Sequence, residues 1–209
     1  MKKLLIATHN PGKLHELAGL LRDLSVELAS LSNVGIAEDI EEDGTTYEEN
    51  SQKKALFYAK KSGLPSLSDD GGLEIAALDN APGIHSKRWL GEGTTEEDLI
   101  AHMQKIAQEL PEDNRNARFR AALSLALPNG KVWSVMGEVN GIIAKKQSLN
   151  TIKGFPYRSF FYLPELKKYY FETELTREEQ LKYNHRVKAI EKLKPILQRE
   201  LAAFYLSSF

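Results

Sequence analysis

The chain has 209 residues, 42% of them hydrophobic and 27% charged, the balance of an ordinary globular protein with one substantial domain, or two lobes folded on a shared sheet. Its 28 basic and 29 acidic residues give a formal net charge of −1, so no global field recruits nucleic acid or an anionic membrane, and an anion must be held by a local cluster. The absence of cysteine excludes disulfides, thiolate catalysis and sulfur-built zinc sites.

Met1 to Ala7 opens like a signal peptide, but the apolar run stops at Thr8-His9-Asn10, short of a usual hydrophobic region. No other segment approaches the ~18 apolar residues that span a bilayer, and a cytoplasmic location is expected. A strand is predicted over 2–8 and a helix over 11–22. Asn10 is a favoured N-cap and Pro11 stands at the first helical position, where proline is best tolerated. Lys13 follows one turn in, beside helix-terminal amides that lack intrahelical partners. This turn reads equally as a phosphate site or as a capped surface helix.

A short strand near 25–30 leads to the acidic loop 38–44. Thr46 and Glu49 form a capping-box pattern for a helix to about Lys61, on which Asn50 and Lys54 share a face. Gly63-Leu64-Pro65 breaks it, and Ser66-Leu67-Ser68 enters a predicted acidic loop, Asp69-Asp70-Gly71-Gly72, before a strand at 73–75. Thr94 with Glu97 is expected to cap a helix to about Leu110. The β-rich runs 117–127 and 131–143, joined by Pro128-Asn129-Gly130, predict a hairpin. An aromatic-rich loop covers 150–164, Thr176 and Glu179 cap a helix ending near Tyr183, and a last helix from His185 carries Pro195. Alternating helices and strands followed by a hairpin predict a single α/β domain, 1–209, on a mixed sheet.

Adjacent carboxylates are costly unless a cation or proton relieves them, so Asp69-Asp70 points to magnesium, with Glu42 as a second ligand from the acidic loop. The competing readings are an acidic turn for Asp69-Asp70, a solvated charge for Glu42, a solvated lysine for Lys54 and a helix cap for His185-Arg186. Neither G-x-x-x-x-G-K-[ST] nor G-x-G-x-x-G after a strand occurs.

Taken in order, Thr8-x-Asn10-x-x-Lys13, the Glu42 loop, Glu49-Asn50 with Lys54, Ser68-Asp69-Asp70-x-Gly72-Leu73, Pro82-Gly83-Ile84-x-Ser86-x-Arg88 and His185-Arg186 resemble the inosine triphosphate pyrophosphatase family, over roughly residues 3 to 193. The resemblance implies a twisted mixed central sheet flanked by helices, two lobes around a deep substrate cleft, and a homodimer. It implies Mg2+-dependent hydrolysis of ITP, dITP or XTP to the monophosphate and pyrophosphate. Carried over by position, Thr8, Asn10, Lys13 and Lys54 contact the triphosphate, with Ser86 and Arg88 assisting. Glu42 and Asp70 form the metal site, and Asp70 also orients or deprotonates the attacking water. Phe155 stacks on the base and His185 with Arg186 read its edge; Gly71, Tyr157, Arg158 and Lys182 complete the substrate-binding set. No nucleic acid or membrane partner is implied.

Three positions depart from the family pattern. Asp-Asp-Ser-Gly reads Asp69-Asp70-Gly71-Gly72, and Ser-His-Arg reads Asn184-His185-Arg186. Gly-Phe-Gly-Tyr/Trp-Asp-Pro reads Gly154-Phe155-Pro156-Tyr157-Arg158-Ser159, which puts a cation where the family carries an acid; the glycines that precede this loop are also replaced. Beside the pyrophosphatase reading stand two others: the same chemistry on a different base or modified nucleotide, and a nucleotide-binding protein with little turnover.

Overall fold

The computed structural model describes residues 2–206. The strands form one seven-stranded sheet in the order β2-β1-β3-β4-β5-β6-β7. In chain order these are β1 (Lys3–Ile6), β2 (Glu27–Ser30), β3 (Ser66–Ile75), β4 (Asn116–Ala126), β5 (Val132–Ile143), β6 (Phe161–Leu163) and β7 (Lys168–Tyr169). The helices are α1 (Pro11–Leu20), α2 (Tyr47–Ser62), α3 (Glu96–Glu109), α4 (Arg177–Tyr183) and α5 (His185–Leu206). The β1–β2 and β1–β3 pairs are parallel, whereas β5–β6 and β6–β7 are antiparallel, so the sheet is mixed as expected. Among the described residues no helix is long and apolar enough to cross a membrane.

The chain divides into two compact units. The first takes the chain up to Asp70, Ala121–Gly137 and the chain from Arg186 onward; the second takes Gly71–Arg120 and Glu138–His185. In the first unit β1 is buried on both sides, which explains its unbroken apolar run. Leu4 and Ile6 pack with Leu17 of α1, with Leu21 just after it, and with Ile190, Leu193 and Leu197 of α5. The alternate residues Leu5 and Ala7 pack on the other side with Ala29 and Tyr58 of α2. A buried hydroxyl seam also seats α2 on the sheet. Ser51 Oγ donates to Ser124 Oγ at 2.8 Å, and Ser68 Oγ donates to the Ser51 carbonyl.

In the second unit Leu99, Met103 and Ala107 turn one face of α3 onto Leu73, Ile75, Phe119, Val139 and Phe161. The buried Arg115 guanidinium satisfies the end of that helix, donating to the carbonyls of Ala107 at 2.7 Å and Leu110 at 3.0 Å.

The structure moves several expected boundaries. Strand 2–8 contracts to Lys3–Ile6 and helix 11–22 to Pro11–Leu20. The cap of α3 lies one residue later than expected: Thr95 and Asp98 form the reciprocal box, because the Thr94 hydroxyl instead donates to the Gly91 carbonyl. The run Thr94-Thr95-Glu96-Glu97-Asp98 satisfies the pattern in both frames. The acidic stretch 69–72 is not a loop but the middle of the continuous strand β3. The aromatic loop contains a short 3-10 turn, Pro156–Ser159, and strand β6. The hairpin turn at 128–130 forms as predicted, with Gly130 at φ 90°.

Gly141 lies where β5 pairs with β6, and a Cβ there would come within 2.6 Å of both the Phe161 ring and the Tyr162 carbonyl oxygen. Gly141→Ala is therefore expected to destabilise the protein by about 1–3 kcal/mol through overpacking, seen as a lowered Tm in thermal denaturation.

Candidate functional site

Asp69 and Asp70 occupy successive positions of β3, so their side chains leave opposite sides of the strand and meet different surroundings. Asp69 is fully enclosed. Its carboxylate receives Arg186 Nε at 2.9 Å and Lys13 Nζ at 2.5 Å, and Arg186 reaches on to Glu16 at 3.2 Å. Burial pushes the Asp69 carboxyl up, but Arg186 and Lys13 outweigh it and hold the group well below the usual carboxylate range. Asp70 shifts the other way. Burial pushes its carboxyl up by more than Lys54 and Lys13 pull it down, and Glu42 and Asp69 add to the rise. One oxygen of Asp70 lies 3.7 Å from Lys54 Nζ; the other, Oδ2, is buried without a hydrogen-bond partner. Two adjacent carboxyls driven apart in this way divide structural anchoring from proton handling.

Lys54 emerges from α2 and is nearly enclosed. Its ammonium donates to Glu42 and to the Asp69 carbonyl at 2.8 Å, and faces Asp70. Burial opposes the charge, yet Asp70 and Glu42 outweigh it and hold the lysine above its ordinary value. The loop that supplies Glu42 is fastened at several points. Asn50 Oδ1 accepts from the Gly44 amide at 2.8 Å, and Lys53 pairs with Asp43 at 2.6 Å. Further back, Tyr58 donates to the Glu38 carbonyl at 2.9 Å; burial, with Asp39 beside it, pushes its phenol up to about 12, so it remains a donor. Gly44 has no spare room, since a Cβ there would stand 2.7 Å from Asn50 Oδ1. The Thr46 hydroxyl caps Glu49 as predicted, but the Glu49 carboxylate bonds the Thr45 amide at 2.7 Å.

The opening turn differs from its sequence-based picture in one respect. Asn10 Oδ1 accepts from the amides of Gly12 at 2.8 Å and Lys13 at 3.1 Å, the Asn10 carbonyl takes the Leu14 amide, and Pro11 has none. Thr8 Oγ1 in turn accepts the Asn10 amide at 3.2 Å. The amides of the first helical turn are thus already satisfied, and the cation this element offers is the Lys13 side chain.

Summed over the cluster, three cations (Lys13, Lys54, Arg186) meet four carboxylates (Glu16, Glu42, Asp69, Asp70). Excess negative charge beside an unpartnered buried carboxylate oxygen suits a cation. Among the described residues no three His, Cys, Asp or Glu side chains converge as a closed metal cage. A hard divalent ion that takes one or two carboxylates and fills its shell with water and phosphate oxygens suits such a site; zinc in a closed cage does not.

The remaining predicted residues lie in the second unit. Ser86 Oγ accepts the Leu73 amide at 3.0 Å and donates to Gly83 at 2.6 Å, while its carbonyl takes the Tyr157 hydroxyl at 2.5 Å. Ser86 and Tyr157 therefore brace the 3-10 turn Gly83–Arg88 that carries the half-buried Arg88. Burial pushes the Tyr157 phenol far up, which keeps it a donor. Phe155 is half-buried, and the Arg158 guanidinium lies over its ring at 3.8 Å and over Tyr170 at 5.0 Å. The Tyr170 hydroxyl meets His185 Nδ1 at 2.6 Å, and His185 stacks on Phe119 with centroids 5.5 Å apart. Gly71 is a half-buried position in β3. Lys182 stands exposed on α4, paired with Glu165 at 3.6 Å and with its ammonium over the Tyr183 ring at 4.9 Å. Arg186, expected beside His185 as a reader of the base, has its guanidinium engaged by Asp69 and Glu16 instead.

Sequence reasoning missed Glu16, Phe119 and Tyr170, and took Asp69 only as one of an acidic pair. Glu16 follows Lys13 by three positions on α1, a spacing that could have placed both on one face. No local pattern marks Phe119 or Tyr170.

The model of the Ham1 family matches residues 4–196. The chain is 42% identical over 192 residues to a dITP/XTP pyrophosphatase of an Exiguobacterium species, covering 91% of this chain and 94% of that protein. It is 37% identical over 197 residues to the dITP/XTP pyrophosphatase of Desulforamulus reducens, covering 94% and 96%. The solved HAM1 protein of Coxiella burnetii superposes with a TM-score of 0.79 at 33% identity, over 95% of this chain and all of that one, 100%.

The opposite shifts of the two aspartates fix opposite outcomes. Asp69 titrates lower in the folded state than in the unfolded one, so its contribution is present above about pH 4 and is lost as pH falls toward its folded value. Asp69→Asn removes the carboxylate shared by buried Arg186 and half-buried Lys13, leaving Arg186 with Glu16 alone, and is expected to cost about 3–5 kcal/mol at neutral pH. Asp70 titrates higher when folded, so its ionised form weakens the metal-free fold, and stability is regained as pH falls through its folded value. Asp70→Asn is expected to keep or raise Tm in the presence of a chelator. Urea and thermal denaturation of the two variants check this, and equal losses would contradict it.

Proposed function

The chain belongs to the Ham1 family, and on that premise we propose that it hydrolyses the non-standard purine nucleoside triphosphates ITP, dITP and XTP to the monophosphate and pyrophosphate, with magnesium. The observation that carries the reading is Asp70: a buried carboxyl pushed upward, one oxygen unpartnered, with Lys54 and Glu42 beside it.

Glu42 and Asp70 would hold the metal ion, which supplies positive charge to the oxygens of the triphosphate. The attacking water is oriented by Asp70, whose raised affinity for a proton suits it to accept one as the water oxygen bonds to the α-phosphorus. The bond from the α-phosphorus to the α–β bridging oxygen breaks, and pyrophosphate leaves with that oxygen. Little covalent chemistry is asked of the protein; positioning and neutralisation carry the reaction.

Lys13 and Lys54 supply donors to the phosphate oxygens. Lys13, paired with Asp69 at 2.5 Å, can turn to a phosphate oxygen without leaving that carboxylate unmatched, because Arg186, the more deeply buried of its two cations, stays on it. In the second unit Phe155 offers a ring on which a base stacks, while Tyr170 fixes His185 through Nδ1. A stacked ring contributes about 1–3 kcal/mol without regard to base identity, so selectivity falls to the polar groups around it. The same reading makes the protein a cytoplasmic homodimer with a nucleotide as its partner.

Pyrophosphate release from a panel of ITP, dITP, XTP, GTP, ATP and pyrimidine triphosphates is expected to favour the first three and to stop with a chelator. Asp70→Asn is expected to lower kcat by about 10²–10⁴-fold while the circular dichroism spectrum is retained. Pyrimidine or ATP preference, or near-normal turnover by the variant, would overturn the proposal.

A further inference from the structure

We infer that the acidic segment 38–44 is a strap held in register along α2, and that Tyr58 and His9 are positioning residues: by fixing its far end they place Glu42 for the divalent ion. The inference rests on the reading of Glu42 as a metal ligand. From Glu38 to Gly44 the chain forms neither helix nor strand, so its course is set by the side chains that grip it. Those side chains come from one face of α2. Asn50, Lys53, Lys54, Tyr58 and Lys61 recur every three or four positions, and they meet the strap in reverse order. Lys61 pairs with the Glu38 carboxylate at 2.6 Å, and Tyr58 donates to the Glu38 carbonyl at 2.9 Å. Lys54 meets Glu42, Lys53 meets Asp43 at 2.6 Å, and Asn50 accepts the Gly44 amide at 2.8 Å. The strap therefore runs antiparallel to the helix, with Glu42 between two backbone attachments.

The attachments are unequal. Lys53 with Asp43 and Lys61 with Glu38 join exposed side chains, where an ion pair contributes little. Tyr58 is only 1% exposed, and Ile40 of the strap packs against the core cluster that Tyr58 shares with Ile36. Its hydroxyl holds a backbone carbonyl and not a flexible carboxylate, so it fixes the path of the chain itself. His9 reaches the same carbonyl from the opening turn. Its Nε2 lies 3.1 Å from the Glu38 oxygen, and its ring meets that of Tyr58 edge-on at 6.2 Å. A carbonyl only accepts, so this nitrogen carries its proton. His9 stands between Thr8 and Asn10, and the contact thus joins the strap to the turn that carries Lys13. Tyr58 and His9 grip the backbone ahead of Glu42 and act through its placement. Contacts that orient a metal ligand in this way set much of a site's affinity.

The test titrates Mn2+ alone into the intact chain, followed by the electron paramagnetic resonance of the free ion, for the unmodified protein, Tyr58→Phe, His9→Ala, Lys61→Gln and Glu42→Gln. Glu42→Gln should weaken binding most. Tyr58→Phe, which keeps the ring, should raise Kd about tenfold, and His9→Ala should raise it by less. Lys61→Gln should stay within about twofold of the unmodified protein. Circular dichroism and Tm are followed for each variant, and exposed His9→Ala decides the matter should Tyr58→Phe not fold. An unchanged Kd in either variant, even with a lowered Tm, removes the positioning role of that residue, because a merely structural grip leaves affinity alone; in both it overturns the inference. A loss in Lys61→Gln as large as that in Tyr58→Phe also overturns it, by giving the register to surface charge. In these cases a Kd that still responds to Glu42→Gln leaves the metal reading standing. If the unmodified protein binds no Mn2+, or Glu42→Gln leaves Kd unchanged, that reading falls and this inference with it.

Discussion

Burying two consecutive carboxylates in the middle of a strand is the constraint around which the first unit is arranged. Each ionised group would be prohibitively costly alone. Asp69 is matched by Arg186 from the start of α5 and Lys13 from the first turn of α1, with Glu16 balancing the arginine from its other side. Asp70 is matched only in part, by a lysine that also serves Glu42. The asymmetry yields one carboxylate that is fixed and acid-resistant and another that is poised. Elements far apart in sequence meet because these charges must: the acidic loop is pinned to α2 by Asn50 and Lys53, and α5 begins on Asp69.

The parts of this arrangement that were legible in the sequence are those written locally. Apolar runs gave β1 and the β4–β5 hairpin, and the Asn10-Pro11 and Thr176/Glu179 patterns set helix starts to the residue. The α3 cap slipped by one position because two overlapping frames carry the same pattern, and only the engagement of Thr94 with Gly91 chooses between them. The strand β3 was misread as a loop for a deeper reason. Aspartate and glycine are turn residues by propensity, and what overrides propensity is the set of cations that tertiary structure brings to Asp69. Long-range pairs of this kind leave no trace in a single sequence. Arg186, 117 positions from Asp69, could be placed by resemblance but not by spacing.

The second unit solves a different problem, that of holding a hydrophilic cation and an imidazole among aromatic rings. Phe155, Arg158, Tyr170, His185 and Phe119 form a continuous sequence of contacts in which each polar group has a ring against it. Pro156 opens the 3-10 turn on which Arg158 rides, and its restricted φ suits a position from which one side chain must point reproducibly. The loop Gly154–Ser159 carries the largest departure from the family pattern, while beside Asp70 the change is confined to Gly71, where the family has serine.

The ammonium of Lys54, lodged between Glu42 and Asp70, has a consequence for how the protein is maintained. With Lys13 and Arg186 it leaves the acidic cluster nearly compensated as the chain folds, so assembly does not wait for an ion to arrive. Zinc fingers, by contrast, are unfolded until loaded. Here three cations already stand against the four carboxylates before any ion is bound, so folding needs no loading step, and the ionised Asp70 that remains only partly matched is the place where an ion would add stability.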